Sequence, residues 1–172
     1  MLPIYPSHLI RHVLWRGERL LIRPVRADDA PRFMEGAARC SLEDLRFRFL
    51  SGIQRVSQKL VAQLTQIDYE HHMAFVAEGL RGDILAITRL VRDSCKAGAE
   101  YAIIVRTDLQ KQGLGTMMQT LLIEYAAVSG IKELWGIMDT ENHRARGLAA
   151  KLGFRQVFQV GLPFVRVVKH LA

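Results

Sequence analysis

At 172 residues, with 49% hydrophobic and 24% charged residues, the chain fits a single globular domain with a sizeable core. Its two cysteines, Cys40 and Cys95, make neither a disulfide framework nor a zinc cluster, and no stretch approaches the roughly 18 apolar residues of a membrane span, so a cytoplasmic protein is expected. The formal charge of +7 points to an anionic partner, but the basic residues are scattered rather than run together, which argues against nucleic acid and leaves a small polyanion, a patchy protein partner or a solvated basic surface.

Residues 1–17 carry Pro3 and Pro6 and little periodicity, and read as an N-terminal arm or linker before a domain of residues 18–172. ERLLIRPVR alternates well enough for a strand. ADDAPRFMEGAARC opens a helix, with Asp28 or Asp29 placed to cap it. SLEDLRFRFLSG reads as a second short helix. Ser57 is placed to cap a third, SQKLVAQLTQI, whose Leu60, Val61 and Leu64 share a face. MAFVAEG and DILAITRLVRD are strand-like runs around the turn GLRGD, an antiparallel hairpin.

EYAIIV is the next strand, and the loop QKQGLGT follows it. Behind the loop, Leu114, Met117, Met118, Leu121, Leu122 and Tyr125 recur at helical spacing, so the methionines are expected in the core. IKELWGIMD is a further strand, and ENHRARGLAAKLG a helix with Ala145, Leu148, Ala149 and Leu152 on one face. FRQVFQV and FVRVVKH close the chain as a hairpin around GLP. The order predicts an α+β domain built on a mixed, mostly antiparallel sheet flanked by helices.

Two glycines directly ahead of a helix have a bland explanation, a sharp turn at low steric cost, and a functional one, bare backbone amides offered to a phosphate. The glycine pair alone is weak evidence, and the rest of the chain must decide. QKQGLG resembles the Q/R-x-x-G-x-G/A signature of the GNAT acetyltransferases, with Gln110, Gly113 and Gly115 in its fixed places. ENHRARGLAAKLGF is similar to that family's later segment, from Asn142 to Gly153 and Phe154. LIRPVRADD, QIDYEHHMAFVAE and AEYAIIVRTDLQKQGLG resemble, more narrowly, the GNAT domain of Pat-type protein lysine acetyltransferases. In that group the domain often sits behind an acyl-CoA synthetase-like region, and YPSHLIRHVLWRGERL resembles the joining segment.

The resemblance implies a twisted sheet whose two central strands splay to admit acetyl-CoA, with no metal involved. It implies that Ile103, Ile104 and Val105 pair with the pantetheine arm as an added strand would. The loop residues Gln110, Lys111, Gln112, Gly113, Leu114, Gly115 and Thr116 would hold the pyrophosphate, helped by the helix dipole. Asn142 is expected either to hydrogen-bond the cofactor or to cap its helix. Glu100 is placed as the general base that takes a proton from the acceptor amine, with Asp68 and Glu70 as second candidates.

One departure concerns the acid. Many members of the family carry a tyrosine four residues after the place held here by Ala145, and this chain has Ala149 there. Either the thiolate leaves and takes its proton from water, or a group such as Tyr101 substitutes. His71, His72 and the scattered histidines show no ligand spacing, and Cys95 is expected to be an incidental thiol. The leading expectation is acetyl transfer to protein lysines, such as those of acyl-CoA synthetases. A small-molecule amine acceptor and a non-catalytic CoA-sensing module are the alternatives.

Overall fold

Arg16 and Gly17 both adopt left-handed backbone angles, φ 53° and 81°, and this turn folds β1 (Arg11–Trp15) back on β2 (Glu18–Pro24). The stretch expected to be an arm thus contributes a strand to the sheet. Its pattern is weak because β1 is an edge strand, with Arg11, His12 and Leu14 exposed and only Trp15 buried.

The computed structural model describes residues 3–53, 55–94 and 97–172; Cys95 lies outside them. After β2 come three helices, α1 (Ala30–Ala38), α2 (Leu42–Phe49) and α3 (Gln58–Thr65). The hairpin of β3 (His72–Glu78) and β4 (Ile84–Arg92) leads to β5 (Gly98–Val105). Then follow α4 (Leu114–Val128), β6 (Glu133–Asp139), α5 (His143–Lys151), and the closing hairpin of β7 (Arg155–Phe158) and β8 (Phe164–His170). The eight strands lie in the order β1-β2-β3-β4-β5-β6-β8-β7, and only β5 and β6 run parallel. This is the expected mixed, mostly antiparallel sheet. None of the described helices is long and apolar enough to cross a membrane.

Each face of the sheet has its own core. On one, Leu114, Met118, Leu121 and Leu122 of α4 pack on Phe75, Leu90 and Tyr101. Burying each large apolar side chain is worth about 1.5–3 kcal/mol, enough to dock α4 with its N-terminus at the end of β5. On the other, α1 to α3 cover Val76, Ile84 and Ile104. Ser41 and Ser57 cap α2 and α3 by accepting the amides of Asp44 and Leu60. Asp29 stands at the cap position of α1, but its carboxylate is otherwise engaged. It is fully buried and accepts from both terminal nitrogens of Arg23, from Arg32 and from the Arg26 amide.

β5 and β6 pair through only three registers: Gly98 with Glu133, Ala99 with Leu134, Glu100 with Trp135. Both strands continue, but apart. A buried side chain sits at the fork: the Tyr101 ring packs on Phe154, with centroids 5.0 Å apart, and lies against Gly136. A Cβ on Gly136 would meet the Tyr101 ring at 3.1 Å and its carbonyl oxygen at 3.3 Å. The absent side chain lets the strands meet at the apex, and the tyrosine wedges them beyond it.

Candidate active site

The fork opens into a cleft of about 270 Å³. One wall is β5 from Tyr101 to Val105, the other β6 from Gly136 to Met138. β5 remains hydrogen-bonded to β4 on its far side, so on the cleft side its alternate peptide groups have no strand neighbour. The glycine loop lies beyond the Val105 end. Ile103, Ile104, Val105, Gln110, Lys111, Gly113, Gly115, Thr116 and Asn142 all line the cleft. Residues from four elements, named from the family resemblance, are therefore brought together. Gln112, Leu114 and Glu100 are not part of that lining.

Backbone conformation explains the loop. Lys111 and Gly113 have left-handed φ of 59° and 87°, and Gly113 is the residue that caps α4. Alternating left- and right-handed residues turn successive amides to one side, making a concavity for anions. Gly115 faces Val105 and Leu148, where a Cβ would sit at 3.6 and 3.5 Å. Alanine would fit there, and a branched side chain would fill the space between loop and α5. Leu114 is 1% exposed, its side chain committed to the core. Gln112 turns toward β1: its carbonyl accepts from the Trp15 indole at 2.8 Å, and its amide oxygen accepts from Arg16. Gln110 donates to Val105 O at 3.1 Å and to Asp44 at 2.9 Å, which ties the loop to the end of β5.

Glu100 occupies the last paired register at the apex, exposed and without an ion pair among the described residues. It shares a face with Ala102 and Ile104, toward α2, while Ile103 and Val105 face α4. Asp68 is otherwise engaged. Its carboxylate accepts the amides of Glu70, His71 and His72 and contacts the His71 ring. Burial pushes its pKa up, but these hydrogen bonds prevail and hold it below the usual carboxylate range. A carboxylate so satisfied is a poor base.

The other expectations divide. Asn142 caps α5, its side-chain oxygen accepting the Ala145 amide at 3.1 Å, while the residue also lines the cleft. Ala149 is buried and supplies no acid. Tyr101 lines the cleft, but burial pushes its phenol well above the ordinary tyrosine range. The same burial disfavours release of the Tyr101 proton.

Sequence reading missed the side of the cleft built by α2. Asp44, Phe47 and Arg48 line it, as does Arg144 at the start of α5. Asp44 is 8% exposed and accepts from Thr107 at 2.6 Å, from Gln110 and from Arg144 at 3.0 Å. One carboxylate thus joins α2, the loop and α5. The available signal was an acid flanked by aromatic and basic residues in a helix too polar for its apparent burial, LEDLRFRF.

The family model described as an acetyltransferase (GNAT) domain matches residues 19–155. Acetyltransferase PA5475 of Pseudomonas aeruginosa is 32% identical over 142 residues, covering 80% of this chain and 76% of that protein. Acetyltransferase Pat of Mycolicibacterium smegmatis is 32% identical over 139 residues, again 80% of this chain, which spans only 41% of Pat. Among solved structures, the GNAT domain of S. lividans PAT superposes with a TM-score of 0.90 at 24% identity, covering 98% of this chain and 100% of that one. Glycine loop, forked strands and a domain match over most of the sequence converge: the chain belongs to the GNAT family of acetyltransferases.

Proposed function

We propose that the protein moves the acetyl group of acetyl-CoA, the family's donor, directly to a lysine side-chain amine of a protein. The observation that carries this reading is the unpaired edge of β5, which runs from Glu100 at the apex to the glycine loop. It offers a linear cofactor a strand to pair with, an anion concavity at one end and a carboxylate at the other. Bound acetyl-CoA supplies an activated thioester carbon.

The chain's own residues do the rest. Amides of residues 110–116 and the start of α4 hold the pyrophosphate, the dipole adding about 0.3–1 kcal/mol per anionic group. Backbone of Ile103, Ile104 and Val105 holds the pantetheine arm. Glu100 accepts the proton of the acceptor ammonium, whose ordinary pKa of about 10.4 leaves little free amine at neutral pH. The thiolate takes its proton from solvent, since Ala149 has none to give and burial disfavours proton release by Tyr101. The protein acceptor is supported by the resemblance to Pat-type sequences and by the kinship with Pat, and acyl-CoA synthetases are the targets to try first.

Labelled acetyl-CoA incubated with the chain and a cell lysate tests this reading. Label on protein lysines, located by mass spectrometry, supports it. Label confined to small molecules assigns a small-amine acceptor instead. No transfer, with acetyl-CoA binding intact by calorimetry, leaves a CoA-sensing module.

A further inference from the structure

Three arginines among the described residues are buried, and two of them are fully paired. Arg23 meets Asp29 and Glu78, and Arg106 meets Asp83 and Asp108. Arg89, on β4, is 8% exposed and has no ion pair or side-chain hydrogen bond among the described residues. Arg48, on α2, is partly buried; its guanidinium lies over the Phe49 ring, 4.8 Å from the centroid, and it has no carboxylate partner among the described residues. The two line one small apolar pocket beneath α2, and Arg48 also lines the cleft.

Their surroundings favour a counter-charge. Burial and the charge of Arg89 push Arg48 down to about 10, with Glu100 opposing. Burial lowers Arg89 too, and Glu100 again opposes. Arg89 is in register with Ala102, two residues from Glu100, so Arg89 and Glu100 are diagonal neighbours on one face. Two cations thus share one exposed carboxylate that touches neither within ion-pair range. Guanidinium charge buried without a counter-charge is costly, and the fold meets that cost at the other two buried arginines, Arg23 and Arg106, with carboxylates.

We propose that Arg48 and Arg89 form an anion seat, on the α2 side of the cleft apex, that takes a carboxylate of the acceptor molecule close to its reacting amine. The inference rests on the acetyl-transfer reading for the identity of the visitor. The cofactor's phosphates do not serve. Their concavity lies beyond Val105, three residues or about 10 Å further along β5 from Ala102, on the face that turns to α4. What reaches Arg48 and Arg89 arrives from the α2 face, where Glu100 also points. The carboxylate belongs either to an acidic residue beside a protein lysine or to a free amino acid, and the seat is the same.

The test uses the full chain and two matched pairs of acceptors. In the first pair, two lysine peptides differ only in Glu or Gln beside the lysine. In the second, lysine is compared with cadaverine, which lacks the carboxylate. The readouts are the ratio of kcat/KM within each pair at saturating acetyl-CoA, and the ratio of Kd for the two peptides by fluorescence anisotropy. A charge-assisted contact predicts a preference of about tenfold or more for the carboxylate-bearing member. Arg48→Gln should bring the ratio near one. Arg89→Lys, which keeps the charge and loses the planar fork, should lower it and guards against a variant that fails to fold. Preference in the peptide pair alone identifies a protein carboxylate, and preference in the free amines alone an amino acid; either supports the seat. If no amine is acetylated, a Kd preference that Arg48→Gln erases still supports it while the transfer reading falls. Equal treatment of both members by the unmodified protein, or a ratio indifferent to Arg48→Gln, overturns it.

Discussion

The indole N–H of Trp15 donates to the carbonyl of Gln112 at 2.8 Å, joining residues 97 positions apart. The N-terminal strand therefore props the glycine loop from behind. Trp15→Phe removes the donor and keeps an aromatic body. A neutral hydrogen bond is worth about 0.5–1.5 kcal/mol net, so acetyl-CoA affinity should fall a few-fold by calorimetry. Unchanged affinity alongside a lower unfolding midpoint would mean that the bond holds the sheet edge only.

Glu100→Gln keeps shape and cannot take a proton. Turnover at neutral pH should drop by about 10²–10⁴, with acetyl-CoA affinity nearly unchanged. The deficit should shrink as pH rises and free amine accumulates without help. Near-normal turnover at pH 7, with chemistry rate-limiting, eliminates Glu100. Because Asp68 is occupied by its own turn, Glu70 is then the next candidate.

Gly136→Ala places a methyl 3.3 Å from the Tyr101 carbonyl oxygen and 3.1 Å from its ring. Both contacts are tighter than ordinary packing, and the Tyr101 oxygen is backbone, so the apex is expected to widen. Overpacking of this kind costs about 1–3 kcal/mol, read as a lower urea midpoint. Acetyl-CoA binding should weaken with it. A variant with unaltered stability and affinity would show that the fork is set elsewhere.

Asp29 is expected to contribute to acid unfolding. Burial favours its neutral form, but hydrogen bonds from Arg23 and the Arg26 amide, with the charges of Arg23 and Arg32, hold its pKa below the ordinary range. The stabilisation is therefore complete above the unfolded value of about 3.9 and lost as pH falls through the depressed native one. Asp29→Asn should cost roughly 3–5 kcal/mol at pH 7 by leaving Arg23 short of a partner, and should flatten the fall in stability below pH 4. Equally steep acid profiles for both proteins would assign acid unfolding to other carboxylates.

Gln119 is 1% exposed on α4; its oxygen accepts weakly from Thr88 at 3.4 Å, and its amide nitrogen has no partner among the described residues. Gln119→Met removes the orphan donor at similar volume and should raise stability by about 1 kcal/mol in urea titration. A destabilised variant would reveal that the Thr88 contact outweighs the orphan.

The elements with strong local signals were legible in the sequence: EYAIIV as a strand, the helix capped by Ser57, and the apolar stripe of α4. β1 was not, because an edge strand that buries only Trp15 leaves no alternation to read. The glycine loop could be singled out because its match to the GNAT signature lies within one short stretch of sequence. The α2 side was not, because Asp44, Arg48 and Arg144 acquire meaning only when residues 100 positions apart meet, as Asp44 and Arg144 do. The fork itself depends on Tyr101 lying against Gly136, a relation between two strands with a helix between them.

An open strand edge ordinarily invites a second polypeptide to add itself, the first step of aggregation. β5 carries such an edge beyond Glu100, yet it is set inside the sheet with β6 diverging from it. An intruding strand needs about 4.8 Å to each neighbour and room for side chains above and below, and toward Glu100 the two walls close to the pairing distance of adjacent strands. Only a slender, unbranched chain entering from the wide end can follow the taper. The geometry that exposes backbone groups thus also filters who may use them, so this protein protects its stickiest edge by shape where others rely on charge or proline.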